Sequence, residues 1–398
     1  MKKEVFQPGI TEYKAIFVFA AAMAAATFVF TKNFLDGALS PNQPPAFGLI
    51  NKDGKIVVPK KFSRLGKMSE HLVPAYEPTA GRDYLGARCG YIDQTGKYLI
   101  NPQFTNALPF SENLAAVQVQ KVGTDSQPLG FVGYDYGNGD YRPGHTWGFI
   151  EHSGRFVISP QFEAAGSFNA GFAPAMVAQK WGFINGKGQI VIQPRFDQAS
   201  AFSEGLAAVC IDDKYGYIDR SGTKVIAMQY DHAYPFSDGY AVVLKAHKFG
   251  IIDTSGKWVE APVYEAFKKL SEGVTAVRSN DPSFGSGYDA ASKRFDVKGA
   301  GNYIVFDHPR NYDKSLPSIA AYIDRTGAVA LVPGVQTIEL GDFHDGVANF
   351  VSSGIICQTG YIDKTGRVVI PAQFETGAQF HEGFAVFGHQ PGNGSAEF

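Results

Sequence analysis

Cysteine is almost missing from this chain: Cys89, Cys210 and Cys357 are the only three in 398 residues, and no two lie close in sequence. That excludes a scaffold stapled by several disulfides and the two-plus-two spacing of a zinc site. At most one disulfide can form, and the three thiols are expected to act as buried apolar filler. Charge is also scarce. Charged residues make up 19% of the chain, with 36 basic against 38 acidic for a net charge of −2. No bulk field of either sign recruits a polyanion, so nucleic acid is not an expected partner. Methionine is rare as well, at 5 residues. A Gly-x-Ser-x-Gly elbow, a phosphate loop, a dinucleotide fingerprint and a zinc-binding helix are all lacking. No catalytic, cofactor-binding or metal-ligating residue is therefore assigned, and the expectation is a protein without enzymatic activity.

What the chain has instead is glycine, at 45 residues, and aromatic side chains, at 32 Phe, 19 Tyr and 3 Trp. Glycine supplies turns, and aromatic residues fill the faces of short strands. A disordered chain, a coiled coil and a collagen are excluded by this mixture.

One long hydrophobic run stands at the N-terminus. Ala15 to Thr31 carry no charge between Lys14 and Lys32. As a helix this run is about 25 Å long, slightly short of a bilayer core, and flanking lysines can snorkel to cover the difference. Cleavage after Ala26 would leave Phe28, Val29 and Phe30 at the new terminus, so residues 1–32 read better as an uncleaved signal anchor than as a signal peptide. Lys2, Lys3 and Lys14 precede the run, which places the bulk of the chain on the non-cytoplasmic side of a membrane. Residues 33–46, with Ser40-Pro41 and Pro44-Pro45, look like a stalk. The expected location is the cell envelope, with the membrane as a partner through this helix.

The rest of the chain repeats. Aligned on Gly148-Phe149-Ile150, a glycine recurs at Gly48, Gly90, Gly148, Gly182, Gly216, Gly250 and Gly360, with Ala321 standing in once, and three consecutive intervals are 34 residues long. Isoleucine falls two positions on every time. A second glycine falls six positions on every time, at Gly54, Gly96, Gly154, Gly188, Gly222, Gly256, Gly327 and Gly366. An aromatic residue follows at fourteen in seven of the eight copies, and a Phe-Ser-Glu-like tripeptide precedes another glycine at twenty-three. Eight repeats span residues 47–388, followed by a tail at 389–398.

A 34-residue period also belongs to some helical arrays, so the unit must be read physically. Trp181 to Ile184 and Ile190 to Ile192 are short β-branched and aromatic runs, split by Asn185-Gly186-Lys187-Gly188. Elsewhere the break is Asp93-Gln94-Thr95-Gly96 or Asp219-Arg220-Ser221-Gly222. An Asp or Asn side chain there can accept from backbone two residues on, and the glycine takes a left-handed conformation. This is a hairpin signal. A proline such as Pro102, Pro160, Pro194 or Pro262 is expected to end the second strand. A loop and a third strand such as Leu206 to Val209 complete the unit, and the third strand pairs forward onto the next repeat. The predicted fold is therefore all-β: eight three-stranded β repeats in tandem. Because the first and last units would each leave an edge unpaired, a propeller-like ring is favoured over an open solenoid.

The pattern resembles the WG-repeat (KWG) family, named for the Trp-Gly seen here at Trp147-Gly148 and Trp181-Gly182. The resemblance covers most of residues 47–388. It is weakest at the seventh copy, where Ala320-Ala321 replace Trp-Gly. It implies a bacterial protein with a binding or scaffold role, and names no ligand. The structural positions that it and the spacing mark are Trp147, Gly148, Gly154, Trp181, Gly182, Gly188, Gly216, Gly222, Gly250 and Gly256.

Acids that recur in the Phe-Ser-Glu column, Glu70, Glu112, Glu204, Asp238, Glu272 and Glu382, with Asp345 in a shifted copy, are expected to satisfy backbone, because a catalytic group is needed only once or twice. His344 and His381 occupy the serine slot and read as variants of a turn position. Function on such a scaffold sits in insertions, and three exist: residues 76–88, 120–146 and 278–319. The second carries Tyr134, Asp135, Tyr136, Asn138, Asp140 and Tyr141, rigid rings among adaptable polar groups. The third carries Tyr288, Arg310 and Tyr312. These nine residues are the candidate contact surface for a protein or glycan ligand. Asp135 and Asp140 could instead wrap Ca²⁺, though no complete calcium-loop motif is present. The alternative function is an exported carbohydrate-active enzyme with carboxylates supplied by the insertions.

Overall fold

The computed structural model describes residues 46–77, 87–121, 141–264, 272, 274–279, 303–304, 319–324, 329–331, 337–352 and 357–389. The expected anchor, the stalk up to residue 45 and the tail from residue 390 lie outside the described residues. Among the described residues no helix is long and apolar enough to cross a membrane.

The described chain is all β, arranged as eight antiparallel sheets of four strands each. One sheet illustrates the rule. Ala164–Ala165, Phe172–Val177, Lys180–Asn185 and Ile190–Phe196 lie side by side in that order. The first two strands come from the third repeat and the last two from the fourth, so the third strand of each repeat does pair forward, as expected. Val177 opposes Lys180, with only Ala178 and Gln179 between them. Both take left-handed φ, 49° and 59°, as a two-residue hairpin turn of this hand requires.

The sequence-based unit needs two corrections. Each sheet has four strands, because the loop expected after the second strand contains a two-residue strand such as Gln198–Ala199 or Asn106–Ala107. The prolines also do not end the second strand. Pro102, Pro160 and Pro194 sit inside Tyr98–Phe104, Phe156–Phe162 and Ile190–Phe196. There the ladder skips: Ile192 opposes Phe183 and Phe196 opposes Trp181, so the intervening bulge absorbs the missing N–H. These strands form one edge of each sheet.

The repeating columns have distinct physical duties. The Trp-Gly column packs the core: Trp147 opposes Phe162 and Trp181 opposes Phe196, and all four are buried. Its glycine leaves no room for a side chain. A Cβ on Gly182 would stand 2.5 Å from the Ile192 carbonyl oxygen, and Gly90, Gly148 and Gly216 meet their partner strands in the same way. One residue on, an aromatic ring packs on the Phe of the next loop. Tyr91–Phe110, Phe149–Phe168, Phe183–Phe202, Tyr217–Phe236 and Tyr361–Phe380 all have ring centroids 4.8–4.9 Å apart. Where that ring is tyrosine its hydroxyl donates to a partly buried carbonyl, as from Tyr91 to Leu108 and from Tyr217 to Tyr234.

The Asp turns form as expected. Asp219 Oδ1 accepts from Ser221 N at 2.9 Å, Ser221 Oγ at 2.6 Å and Thr223 N at 3.0 Å. The Ser221 hydroxyl, followed by these amides, holds the Asp219 carboxyl below the usual range. The turn glycine packs against the repeat before it, as Gly188 does on Ile158 and Gly222 on Ile192.

The two ends of the array meet. Ala46–Asn51 pairs antiparallel with Phe384–His389 over six residues, from Ala46 opposite His389 to Asn51 opposite Phe384. With Ile56–Phe62 and Thr376–Gly377 they make up the eighth sheet. Gly54 packs on Ile370 just as Gly188 packs on Ile158.

Two of the cysteines, Cys89 and Cys210, are buried and free as expected, and burial pushes the Cys89 thiol up to about 12. Cys357 is a correction. It is free but exposed, because it sits just before the strand Thr359–Asp363.

Gly188 (φ +78°) tests the turn assignment. Gly188→Val is expected to lower unfolding free energy by about 1–3 kcal/mol in urea titrations, whereas Lys187→Ala changes it little. Equal effects would refute the assignment.

Candidate functional site

The sheets present two opposite edges, and the repeat assigns each a different task. On one edge lie the Asp turns and the Phe-Ser-Glu loops. On the other lie the connections from the third strand of one repeat to the first strand of the next.

The loop edge is held by carboxylates. Each loop is a two-residue turn such as Glu70-His71, with left-handed φ of 51° and 64°. Ser69 and Leu72 exchange backbone bonds across it, so the turn's own N–H groups point away from the ladder. The acid of the preceding repeat takes them. Asn113 N donates to both oxygens of Glu70 at 3.0 and 3.2 Å. Gly171 N donates to Glu112 at 2.9 Å, Gly239 N to Glu204 at 2.9 Å, Gly346 N to Glu272 at 3.3 Å and Gly383 N to Asp345 at 2.7 Å. The series runs on across the chain ends, where Glu382 accepts from Glu70 N at 2.7 Å and His71 N at 2.8 Å. The serine of the same tripeptide adds a second link, from Ser111 Oγ to Phe168 O and from Ser203 Oγ to Phe236 O.

Three of these carboxylates also meet a basic side chain from the turn two repeats further on. His152 Nε2 lies 2.9 Å from Glu70, Lys364 Nζ 2.8 Å from Glu272, and Lys52 Nζ 3.9 Å from Asp345. His152 is further fixed by stacking on Phe110 at 4.3 Å. Around this pair opens a groove of about 540 Å³, lined in part by Glu70, His71, Asp93, Leu99 and His152. Its acids are already engaged with backbone, which suits holding the loops together better than proton transfer. His344 and His381 pack on each other at 4.8 Å, each in the backbone bridge that serine makes elsewhere. Among the described residues no group of three His, Cys, Asp or Glu is placed to hold a metal ion.

The opposite edge is where the repeats differ. Three connections are bare two-residue turns, Ala178-Gln179, Asp212-Asp213 and Ala246-His247. All three insertions occupy the same connection. They leave between Val73–Tyr76 and Cys89–Ile92, between Ala115–Gln120 and His145–Ile150, and between Val274–Ser279 and Ile319–Asp324. The first two are clamped at the base by backbone, with Glu77 N donating to Arg88 O at 3.0 Å and Lys121 N to Gly144 O at 2.7 Å. The connection between Val347–Ser352 and Thr359–Asp363 is a smaller extension. The chain ends leave from this edge too, because Ala46 and His389 stand where Lys180 and Val177 flank a turn. In array order the extended connections and the chain ends are consecutive, and so are the three bare turns.

Of the nine candidate contact residues, only Tyr141 is described, 37% exposed beside the clamped base of the second insertion. Tyr134, Asp135, Tyr136, Asn138, Asp140, Tyr288, Arg310 and Tyr312 lie outside the described residues, as does the Asp135/Asp140 calcium alternative. The third insertion contributes one described strand, Tyr303–Ile304, which pairs with Arg278 and Ser279 as the outermost strand of its sheet. It fills the place of the usual two-residue strand, so the segment adds no sheet of its own among the described residues.

Residues 47–71, 90–121, 147–181, 181–215, 215–248, 249–281 and 360–388, together more than half of the chain, match the family described as "WG containing repeat". The seventh copy, at Ala320-Ala321, is not among the matched segments. No curated protein matches the chain. Among solved structures the chain is similar to the computationally designed Ika8 protein, at 10% identity and TM-score 0.47, covering 88% of this chain and 95% of that one. It is also similar to a eukaryotic initiation factor (12%, TM-score 0.40, 73% of each chain) and to dihydro-heme d1 dehydrogenase NirN in complex with DHE (11%, TM-score 0.39, 80% of this chain and 70% of that one). None of these likenesses bears on what this chain binds.

His381 gives the loop edge a pH dependence. Burial, then the charges of Lys67 and His344, lower its pKa to about 4 against the pull of Asp345 and Glu382. The folded state thus resists a proton that the unfolded chain takes up near 6.5, and stability is full above that pH and falls as pH drops toward 4. His381→Ser is expected to remove a loss on the order of 1 kcal/mol between pH 6.5 and 4.5 in urea titrations, allowing for solvent screening of the partly exposed ring. An unchanged pH slope would refute this.

Proposed function

This chain belongs to the WG-repeat family, and from that premise we propose that it is a non-catalytic recognition platform of the cell envelope. In this reading the eight sheets form a closed, propeller-like ring. The segment Ala15–Thr31 anchors it, the repeats face away from the cytoplasm, and the insertions contact a protein or glycan partner.

The observation that carries the reading is positional. Every insertion leaves from one kind of connection, on one edge, while three equivalent connections, Ala178-Gln179, Asp212-Asp213 and Ala246-His247, are two-residue turns. Scattered insertions would suit a scaffold merely tolerating extra chain. A cluster on one edge builds a composite surface from segments distant in sequence. The chain ends leave from that edge as well, so an anchor at residues 15–31 would tether the ring beside its own contact surface. The tyrosines of the second insertion supply large contact area at low conformational cost.

The test is to replace residues 122–140 with a two-residue turn such as Asp-Asp and compare capture of envelope glycans and proteins by the two chains. Loss of a specific partner with unchanged melting is the expected outcome. Retention of every partner would overturn the proposal, and turnover of a captured glycan would replace it with the enzymatic alternative.

Ring closure has its own test. A permuted chain, with His389 joined to Ala46 by a two-residue turn and new termini opened between Ala178 and Gln179, is expected to melt within a few degrees of the parent. A permuted chain that fails to fold would refute closure, since in a ring every such connection is equivalent.

A further inference from the structure

The carboxylate series on the loop edge is broken at one place. In the third repeat the tripeptide reads Phe168-Asn169-Ala170, so the acid is replaced by Ala170. Ala170 keeps the left-handed backbone of its equivalents, φ 54° against 51–56° at Glu70, Glu112 and Glu204. The carboxylate is gone, and Asn169 stands in the place of the serine. The turn that it would hold, Glu204-Gly205, is built like the others, with φ of 52° and 85° and with Ser203 and Leu206 exchanging backbone bonds. Its Gly205 N–H makes no hydrogen bond among the described residues, whereas the matching amides of Asn113, Gly171, Gly239, Gly346 and Gly383 each donate to a carboxylate.

A basic side chain also stands at the matching position of the sequence. Where it is present, the second residue of the Asp turn two repeats on meets the acid: His152 on Glu70, Lys364 on Glu272, Lys52 on Asp345. Counted the same way, the residue that belongs to position 170 is Arg220, in Asp219-Arg220-Ser221-Gly222. Arg220 is exposed and forms no ion pair among the described residues. An unbonded amide donor, and by its position in the repeat a guanidinium, thus belong to the place of a carboxylate that the chain does not supply.

We propose that the gap at Ala170, between Gly205 N–H and Arg220, is a binding site for a carboxylate supplied in trans, the glutamate side chain of an acidic peptide segment of a partner protein. Successive left-handed backbone N–H groups suit an anion, and guanidinium is the cation that best matches a carboxylate's two oxygens. The molecule itself provides the template for the ligand. Each filled equivalent holds an Asp or Glu side chain delivered from a turn, a geometry that a polypeptide reproduces and a free ion does not. The site lies on the edge opposite the insertions and does not depend on them.

The experiment titrates the full chain with a fluorescently labelled peptide, acetyl-Phe-Ser-Glu-Gly-amide, which copies the segment filling the other sites, and follows anisotropy. Saturable binding is expected, weakened at least tenfold when the peptide's Glu is Gln and at least fivefold in Arg220→Gln. Ala170→Glu should supply the missing carboxylate in cis, abolishing peptide binding and raising Tm. No saturable binding, equal binding of the Gln peptide, or undiminished binding by Arg220→Gln would overturn the proposal. So would undiminished binding by Ala170→Glu. Displacement by millimolar acetate would overturn the assignment to a polypeptide. If Ala170→Glu does not fold, the Arg220→Gln and Gln-peptide arms decide the matter.

Discussion

No repeat of this protein owns a complete sheet. Each sheet takes its two inner partners from different repeats, as Phe172–Val177 and Lys180–Asn185 do, so a single 34-residue unit cannot satisfy its own backbone. The remaining features are consequences of that shared ladder. The aromatic ring one position past the Trp-Gly glycine packs on the Phe of the following loop, the turn glycine packs on the preceding repeat, and the loop carboxylate caps the next loop. Covalent repeats and structural sheets are out of phase by half a unit. The first and last half-sheets therefore need each other, and Phe47 to Ile50 finds its partner in Ala385 to Gly388.

The parts of this architecture that were legible in sequence are those where one residue type is the only solution. Gly182 is glycine because a carbonyl oxygen lies where its Cβ would be. Gly188 is glycine because its φ is positive, and Asp219 is Asp because two amides and a hydroxyl need one oxygen. Those columns yielded the hairpins, the forward pairing and the number of sheets. The two-residue strand escaped because Gln198-Ala199, Asn106-Ala107 and His232-Ala233 share little beyond an alanine. Two residues are too few for any periodicity to show. The prolines misled because their lost N–H falls in a bulge, where the ladder needs none.

The candidate site was less legible. Spacing located the insertions to within a residue or two of their flanking strands, yet sequence alone could not say that they share an edge. That follows only from the pairing, which makes residues 77–88, 121–144 and 280–318 alternatives to Ala178-Gln179. The acids were recognised as architectural because they recur, but their partners were not predictable. A glutamate that bonds an amide 43 residues away, and a histidine 82 residues away, leaves no local pattern.

The pairing of Ala46–Asn51 with Phe384–His389 also sets an order of events. During synthesis the opening strand, with Phe47, Leu49 and Ile50, emerges first, and its neighbour is made more than 330 residues later. The seven other sheets can assemble progressively from adjacent segments, as local contacts favour. The last cannot, and its apolar edge stays exposed until the chain is complete. A product truncated before residue 384 would retain seven well-formed sheets and still present that edge, a feature by which chaperones and proteases can tell an unfinished chain from a finished one.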